Sequence, residues 1–202
     1  MNSMSTGYLE SGRARQKKRT HDQLIAAARE LIMTGDTPRI EDVAEAAGIS
    51  RTTAYRYFTS QTELLAAAYP ETTLSSALPD PPPSGVEERV ALVADFVIDR
   101  VRETELQQRA MLRLSLGTVP HELPLRQGRV IPWFVDALTP LADELGSEST
   151  RRLALALRAA CGIETRVWLT DVAGLGPDDV GAIQRWMVDA LLAHAFETPP
   201  PA

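Results

Sequence analysis

The chain has 202 residues, a formal net charge of −6 and one cysteine, and 44% of its residues are hydrophobic. These values are those of an ordinary globular protein and exclude a framework of internal disulfides. No apolar run approaches the length that a bilayer span needs, and the N-terminus lacks an apolar signal segment, so we expect a cytoplasmic protein.

The N-terminal region combines a polar tail with a basic run. Residues 1–14 contain glycine and serine, and we expect them to be disordered. Arg13, Arg15, Lys17, Lys18 and Arg19 follow one another with no acidic residue between them. Such a run is either a solvated tail or an arm that neutralises DNA phosphates. The first helix is predicted from residue 15 or 20 to Thr34, with an apolar inner face formed by Leu24, Ala27, Ala28, Leu31 and Ile32.

Residues 40–58 predict two short helices joined by a tight turn. Val43, Ala44 and Ala47 lie at helical spacing and form the buried face of the first helix. Gly48 ends that helix, and Ser50 is a suitable N-cap for the next one. In the second helix Ala54 and Phe58 point inward. The residues left largely outward are rich in hydrogen-bond donors: Arg51, Thr52, Thr53, Tyr55, Arg56 and Tyr57.

These residues resemble the helix-turn-helix of the TetR family of bacterial transcriptional regulators. The resemblance runs from about Thr20 to Leu65 and includes Ala47-Gly48-Ile49-Ser50, Tyr55-Arg56-Tyr57-Phe58 and Glu63-Leu64-Leu65. It implies a DNA-binding regulator, with DNA contacts from Lys17, Lys18, Arg19, Thr20, Arg39, Ser50, Arg51, Thr52, Thr53, Tyr55, Arg56, Tyr57 and Gln61.

Two positions depart from the family pattern. Gln61 stands where a phosphate-contacting lysine is common, so a hydrogen bond to phosphate remains possible but the charge is lost. Arg39 stands where Ser or Thr usually caps the second helix. We expect Thr37 to be the cap and Pro38 the first helical residue, which leaves Arg39 free to reach the DNA backbone.

The charge distribution fits this reading. Residues 1–69 hold nine Lys and Arg against eight Asp and Glu, whereas the remainder holds 12 against 19. The acidic remainder should keep that half of the molecule off the duplex.

The rest of the chain predicts further helices. Residues 79–83 contain four prolines and mark a loop. A helix from Ser84 carries a stripe of small apolar residues and bends near 103–107 before continuing to Gly117. A helix over 126–145 is interrupted at Pro132 and Pro140. Helices over 148–172 and from Pro177 complete the chain. The stripe on the helix from Ser84 is Val86, Val90, Val93, Ala94, Val97 and Val101.

The sequence as a whole predicts an all-α protein of about nine helices. A three-helix DNA-binding domain at 15–60 is followed by a helical ligand-binding and dimerisation domain at 61–197 and a disordered C-terminal tail at 198–202. The last two helices are apolar on more than one side, which favours a homodimer with two-fold symmetry over a wholly intramolecular core. In the last helix, the residues predicted to face inward are Val180, Ile183, Met187, Ala190, Leu191 and Ala195.

The body of such regulators resembles a cup that binds a small molecule. Candidates to line it are Met111, Leu114, Arg129, Trp133, Phe134, Thr165 and Trp168. Arg129 and Trp133 lie four residues apart, so Arg129 could pair with an acid group that Trp133 covers. The alternative is that the tryptophans are core residues and Arg129 is solvated.

The expected function is therefore repression from a palindromic operator, released by an effector of unknown identity. An activator or a ligand-independent DNA-binding protein is the alternative, and a helical enzyme is a further one. The histidines, His21, His121 and His194, lie far apart without metal-ligand spacing, and no phosphate-binding glycine loop occurs. We expect no catalytic residue, no metal and no cofactor.

Overall fold

The computed structural model describes residues 4–68, 74–116, 128 and 130–200, without the side chains of residues 4–11 and 13. These residues form helices joined by turns and loops, with no strand among them, so the all-α prediction is confirmed. None of the described helices combines the length and the apolar character that crossing a bilayer requires. The chain divides into two compact units, Met1–Glu71 with Ala110–Arg126 (unit 1) and Thr72–Arg109 with Gln127–Ala202 (unit 2).

Unit 1 contains the predicted helix-turn-helix. Helix α1 packs against α2 and α4, and α2 packs against α3. Their apolar faces form one core that also includes Ala110 and Met111. The helices are α1 (Met4–Met33), α2 (Ile40–Ala46), α3 (Arg51–Tyr55), α4 (Gln61–Ala68) and the second half of α6 (Glu105–Ser115).

Unit 1 differs from the predicted domain 15–60 at both ends. Helix α1 begins at Met4, so the described residues 4–14 are helical where a disordered tail is expected; no proline interrupts the chain between Met4 and Met33. Helix α4 also belongs to unit 1, because Leu64 and Leu65 are fully buried in its core. The boundary therefore falls after α4 rather than before it.

Unit 2 is built around α5, α9 and α11. Helix α5 packs against α7, α9 and α11, and α9 packs against α7 and α11. The predicted stripe of α5 is buried at all six positions, which confirms it. The elements are α5 (Val86–Glu103), α7 (Ile131–Ala137), a 3-10 turn (Thr139–Leu141), α8 (Ala142–Leu145), α9 (Ser147–Cys161), α10 (Ile163–Val167), a π-helical turn (Trp168–Val172) and α11 (Pro177–Glu197).

The prolines act largely as predicted. Residues 79–83 are not helical. The bend predicted near 103–107 is a break without a proline, since α5 ends at Glu103 and α6 begins at Glu105. Pro140 lies in the 3-10 turn that separates α7 from α8. Pro132 does not kink a helix, because it occupies the first turn of α7, where an N–H group is not needed. Residues 126, 127 and 129 of this predicted helix lie outside the described residues.

The prediction of one helix over 148–172 was wrong, because the chain breaks at Gly162. Gly162 is extended, with φ −76° and ψ 168°. The buried side chain of Gln184 compensates, since its Nε2 donates to the carbonyls of Ala160 at 3.1 Å and Gly162 at 3.3 Å. Thr165 donates its hydroxyl to the carbonyl of Ala159 at 2.8 Å. Side chains thus add donors at the break, where the carbonyls of Ala159 and Gly162 also accept the backbone N–H groups of Gly162 and Arg166.

The predicted inner face of α11 was also partly wrong. Val180 and Ala195 are buried as expected, but the other buried positions are Gln184, Val188 and Leu192. The predicted Ile183, Met187 and Leu191 are only half-buried, and Ala190 is exposed. The face that packs within unit 2 is therefore rotated relative to the prediction, because α11 carries apolar residues on two sides and the sequence does not say which side unit 2 covers.

The single cysteine lies at the end of α9. Cys161 is fully buried, and burial raises the pKa of its thiol to about 12. Cys161 therefore packs as a small apolar side chain in the interior of unit 2.

Candidate nucleic-acid interface

The turn between α2 and α3 has the predicted geometry. Gly48 has a positive φ of 65°, the left-handed conformation that favours glycine after a helix end. Ser50 is the N-cap of α3, and its hydroxyl accepts the backbone N–H of Thr53 at 3.3 Å. Ile49 packs against the unit 1 core. The turn and the cap fix the direction in which α3 leaves the core.

The inner side of this motif is anchored in the core as predicted. Val43, Ala44 and Ala54 are fully buried, and Phe58 is 2% exposed. The ring of Phe58 also stacks on that of His21, with the centroids 5.2 Å apart. Because one side of α3 is fixed in this way, its other side is held outward.

The outer side of α3 carries the predicted polar residues. Arg51, Thr52 and Arg56 are exposed, and Tyr55 is 45% exposed. Thr53 is half-buried, and its hydroxyl lies 2.8 Å from that of Ser50. Tyr57 differs from the expectation, because it is half-buried and packs against the core. Arg51, Thr52 and Tyr55 of α3, together with Arg56 at its C-cap, thus form the open surface of this motif.

Tyr55 has a partner that the sequence does not indicate. Its hydroxyl donates to the carboxylate of Glu41 on α2 at 2.6 Å. This hydrogen bond lowers the pKa of Glu41 and raises the pKa of Tyr55. The bond joins α2 to α3, and the exposed ring of Tyr55 remains free for apolar contact. No spacing pattern links residues 14 apart on different helices, so sequence reasoning missed Glu41.

The two departures from the family pattern have a different structural role from the one expected. Arg39, not Thr37, is the N-cap of α2, and the carboxylate of Asp42 accepts the backbone N–H of Arg39 at 2.8 Å. The amide nitrogen of Gln61 donates to the carbonyls of Thr37 at 2.9 Å and Pro38 at 3.0 Å. Both N–H groups of Gln61 are therefore used, and a phosphate contact would have to displace one of these bonds. The side chain of Arg39 is exposed, as expected.

The basic run lies on the N-terminal half of α1. Arg15, Lys17, Lys18 and Arg19 are exposed, and Thr20 is half-buried. The structure therefore presents these cations on a helix rather than on a coil.

The predicted ligand-binding residues are distributed over both units. Met111 and Leu114 belong to the core region of unit 1, whereas Trp133, Phe134, Thr165 and Trp168 lie in unit 2. Trp133 is buried, donates its Nε1–H to the carbonyl of Leu74 at 3.2 Å and packs edge-on against Phe96. Phe134 is fully buried, and Trp168 is 58% exposed. Arg129 lies outside the described residues. A described cleft of unit 2 is lined by other residues, of α5, α10 and α11.

Comparison with known proteins identifies the motif. Residues 24–68 match the model of a family described as bacterial regulatory proteins, tetR family. The match extends from Leu24 in α1 to the end of α4, so it contains the turn at Gly48 and the whole of α3. No curated protein and no solved structure matches the chain.

Proposed function

The N-terminal domain of this chain belongs to the TetR family of DNA-binding transcriptional regulators, and from this premise we propose a palindromic operator as its target. The protein binds that operator in the cytoplasm as a homodimer, represses transcription and is released by a small-molecule effector. We propose no catalytic step and no cofactor.

The observation that carries the proposal is the outer side of α3. Ala54 and Phe58 hold this helix on the core, while Arg51, Thr52 and Arg56 project to solvent. A short helix with several donors on one open side fits the major groove, where arginine pairs with guanine and threonine contacts bases or the thymine methyl group. Arg51 stands in the first turn of α3, the part of a recognition helix that meets base edges.

The exposed cations of α1 support sequence-independent binding. Lys17, Lys18 and Arg19 are three successive exposed positive charges. They contribute affinity by neutralising phosphates, and this part of the affinity falls with salt. The acidic excess beyond residue 69 lies elsewhere in the chain and opposes non-specific contact with DNA.

Apolar residues left open on α9 and α11 support the homodimer. On α11, Ile183, Trp186, Met187 and Ala190 lie at helical spacing on the side away from the buried stripe, and Trp186 is 69% exposed. Helix α9, which packs against α11, adds Leu155, Ala156 and Ala159, none of which is fully buried. We refer to these seven residues as the dimer face. A second copy covers this face with the same face, which gives the two-fold symmetry that a palindromic operator mirrors.

The effector acts by differential binding. A ligand lowers operator affinity only to the extent that it binds the DNA-free state more tightly than the DNA-bound state. We assign repression because the family resemblance favours it; activation differs only in where the operator lies relative to the promoter.

Arg51→Ala tests the proposal. Operator fragments are first selected from genomic DNA with the purified chain, and affinity is then measured by fluorescence anisotropy. We expect Arg51→Ala to weaken specific binding by about 10- to 100-fold, the effect of losing about 1–3 kcal/mol of base discrimination. The matched control is Arg151→Ala, which removes the same charge from an exposed position on α9. If Arg51→Ala and Arg151→Ala both bound the operator with the affinity and footprint of the parent chain, the assignment of α3 as the recognition helix would be contradicted.

A further inference from the structure

Unit 2 contains an open cleft that the proposed function leaves unassigned. Its volume is about 250 Å³, and it lies among residues of α5, α10 and the first turns of α11. This volume is below the ~300–1,000 Å³ of pockets for drug-sized ligands, so the cleft suits a small metabolite. Its lining includes three arginines and three aspartates: Arg102, Arg166, Arg185, Asp95, Asp99 and Asp178.

Arg166 is the unusual member of this lining. Its side chain is only 3% exposed, and its Nε donates to the carboxylate of Glu105 at 2.6 Å. Its Nη1 is buried and has no hydrogen-bond partner among the described residues. A buried guanidinium nitrogen without an acceptor is unfavourable, and such a group in a cleft needs an explanation.

The surrounding network does not supply the missing acceptor. Glu105 already accepts from both Arg166 and Arg109, and although its partial burial opposes ionisation, these two hydrogen bonds lower its pKa. Arg109 in turn binds Asp171 and Thr170 on the π-helical turn that follows α10. Turns of π-helix frequently mark functional sites. Here Asp171 and Thr170 of the turn bind Arg109, which donates to Glu105. Glu105 in turn accepts from Arg166.

The charges of the cleft select the kind of anion. Arg185 is bound to Asp95 at 2.6 Å and to Asp189 at 3.1 Å. Arg102 at the rim is 3.8 Å from Asp178, so it is only loosely paired. With three cations and three carboxylates in the lining, the cleft has no net formal charge. A multiply charged phosphate would meet the aspartates, whereas a single carboxylate needs only the free donor of Arg166 and the loosely held Arg102.

We propose that this cleft binds a small molecule with one carboxylate, which accepts a hydrogen bond from Nη1 of Arg166 and pairs with Arg102. Its role as the effector rests on the proposed regulatory function; the binding site itself does not.

Calorimetry on the full chain without DNA tests the site. The probes are acetate, propionate and benzoate, and the controls are their neutral amides and inorganic phosphate. We expect at least one carboxylate to bind with one site per chain, while its amide and phosphate do not. Absence of binding by all three carboxylates, or equal binding of an amide or of phosphate, would overturn the proposal and leave Nη1 as a group that water satisfies.

Two variants locate the binding in the cleft. Arg166→Lys keeps a positive charge beside Glu105 but removes the extra N–H donor. Arg102→Gln changes a rim side chain that is 58% exposed and only loosely paired with Asp178. We expect each to weaken the binding of the best carboxylate by about tenfold, the effect of losing one hydrogen bond to a charged group. Arg151→Gln, outside the cleft, should bind as the parent does. If Arg166→Lys fails to fold, Arg102→Gln decides, and parental affinity in that variant overturns the site.

Operator release is measured separately. Addition of the binding carboxylate should lower operator affinity in the anisotropy assay, and Arg102→Gln should require about tenfold more of it. If the chain binds no operator but Arg102→Gln still weakens carboxylate binding, the regulatory proposal fails while the site stands. If the chain binds an operator but no carboxylate, the site fails while the regulatory proposal stands.

Discussion

Trp186→Ala tests the proposed homodimer most directly. Trp186 exposes 69% of its surface in the single chain. An indole is large and apolar, and a position that leaves most of it in water is unfavourable unless a partner covers it. If a second copy covers the dimer face, this side chain contributes a large share of the association energy.

The structure gives the size of the effect. An aromatic side chain buries about 150–250 Å², so the exposed 69% of Trp186 corresponds to about 140 Å². At about 25 cal/mol per Å², covering half of that area contributes about 1.7 kcal/mol per chain. Two-fold symmetry doubles this to about 3.5 kcal/mol per dimer, which raises the dimer dissociation constant by about 300-fold when the side chain is removed.

Sedimentation equilibrium over a range of chain concentrations measures this constant. Leu92→Ala is the matched control, because Leu92 is also a partly exposed apolar residue, 39% exposed, but lies on α5 outside the dimer face. We expect the control to associate as the parent does. A parent chain that is monomeric at all concentrations, or a Trp186→Ala variant with the parental dissociation constant, would refute the reasoning.

Three further predictions concern stability. Gln184→Met removes the side-chain donor from the carbonyl of Ala160 and one of the two donors from the carbonyl of Gly162, which still accepts the backbone N–H of Arg166. The substitution also removes the unpartnered Oε1 of Gln184, so we expect the free energy of unfolding in urea to fall by about 1–3 kcal/mol, and no loss would contradict the role of Gln184 at the break. Gly48→Ala places a Cβ in open space at φ 65°, so the left-handed backbone alone should lower the free energy of unfolding by about 1–2 kcal/mol. A neutral result in thermal unfolding would show that the turn relaxes. Hydrogen bonds from Arg109 and Thr170 lower the pKa of Asp171 to about 2. Because the folded pKa is depressed, the stabilisation is present above the unfolded value of about 3.9 and is lost as pH falls towards 2. A carboxyl NMR titration with a midpoint near 3.9 in the folded chain would refute this pairing.

Elements with one buried side were predicted well from the sequence. The stripe of α5 and the inner residues of α2 and α3 repeat at helical spacing, and burial on one side leaves no ambiguity in such a pattern. The turn at Gly48 and the cap at Ser50 depend on neighbouring residues alone, so local chemistry was sufficient to predict them.

Features that depend on distant partners could not be predicted in this way. The break at Gly162 is supported by Gln184, 22 residues further along the chain. Gln61 reaches the carbonyls of Thr37 and Pro38, and Tyr55 reaches Glu41, through the packing of neighbouring helices. The cleft around Arg166 combines residues from α5, α10 and α11. No single window of sequence contains both members of such a pair, so periodicity cannot detect it.

The burial of Cys161 allows local opening of α9 to be measured through alkylation of this thiol. A thiol with a pKa of about 12 and no exposed surface cannot be alkylated while α9 stays closed. The rate at which a thiol reagent alkylates the native chain therefore measures how often the end of α9 beside Gly162 opens. Because Cys161 is the single cysteine of the sequence, no other thiol contributes to that rate.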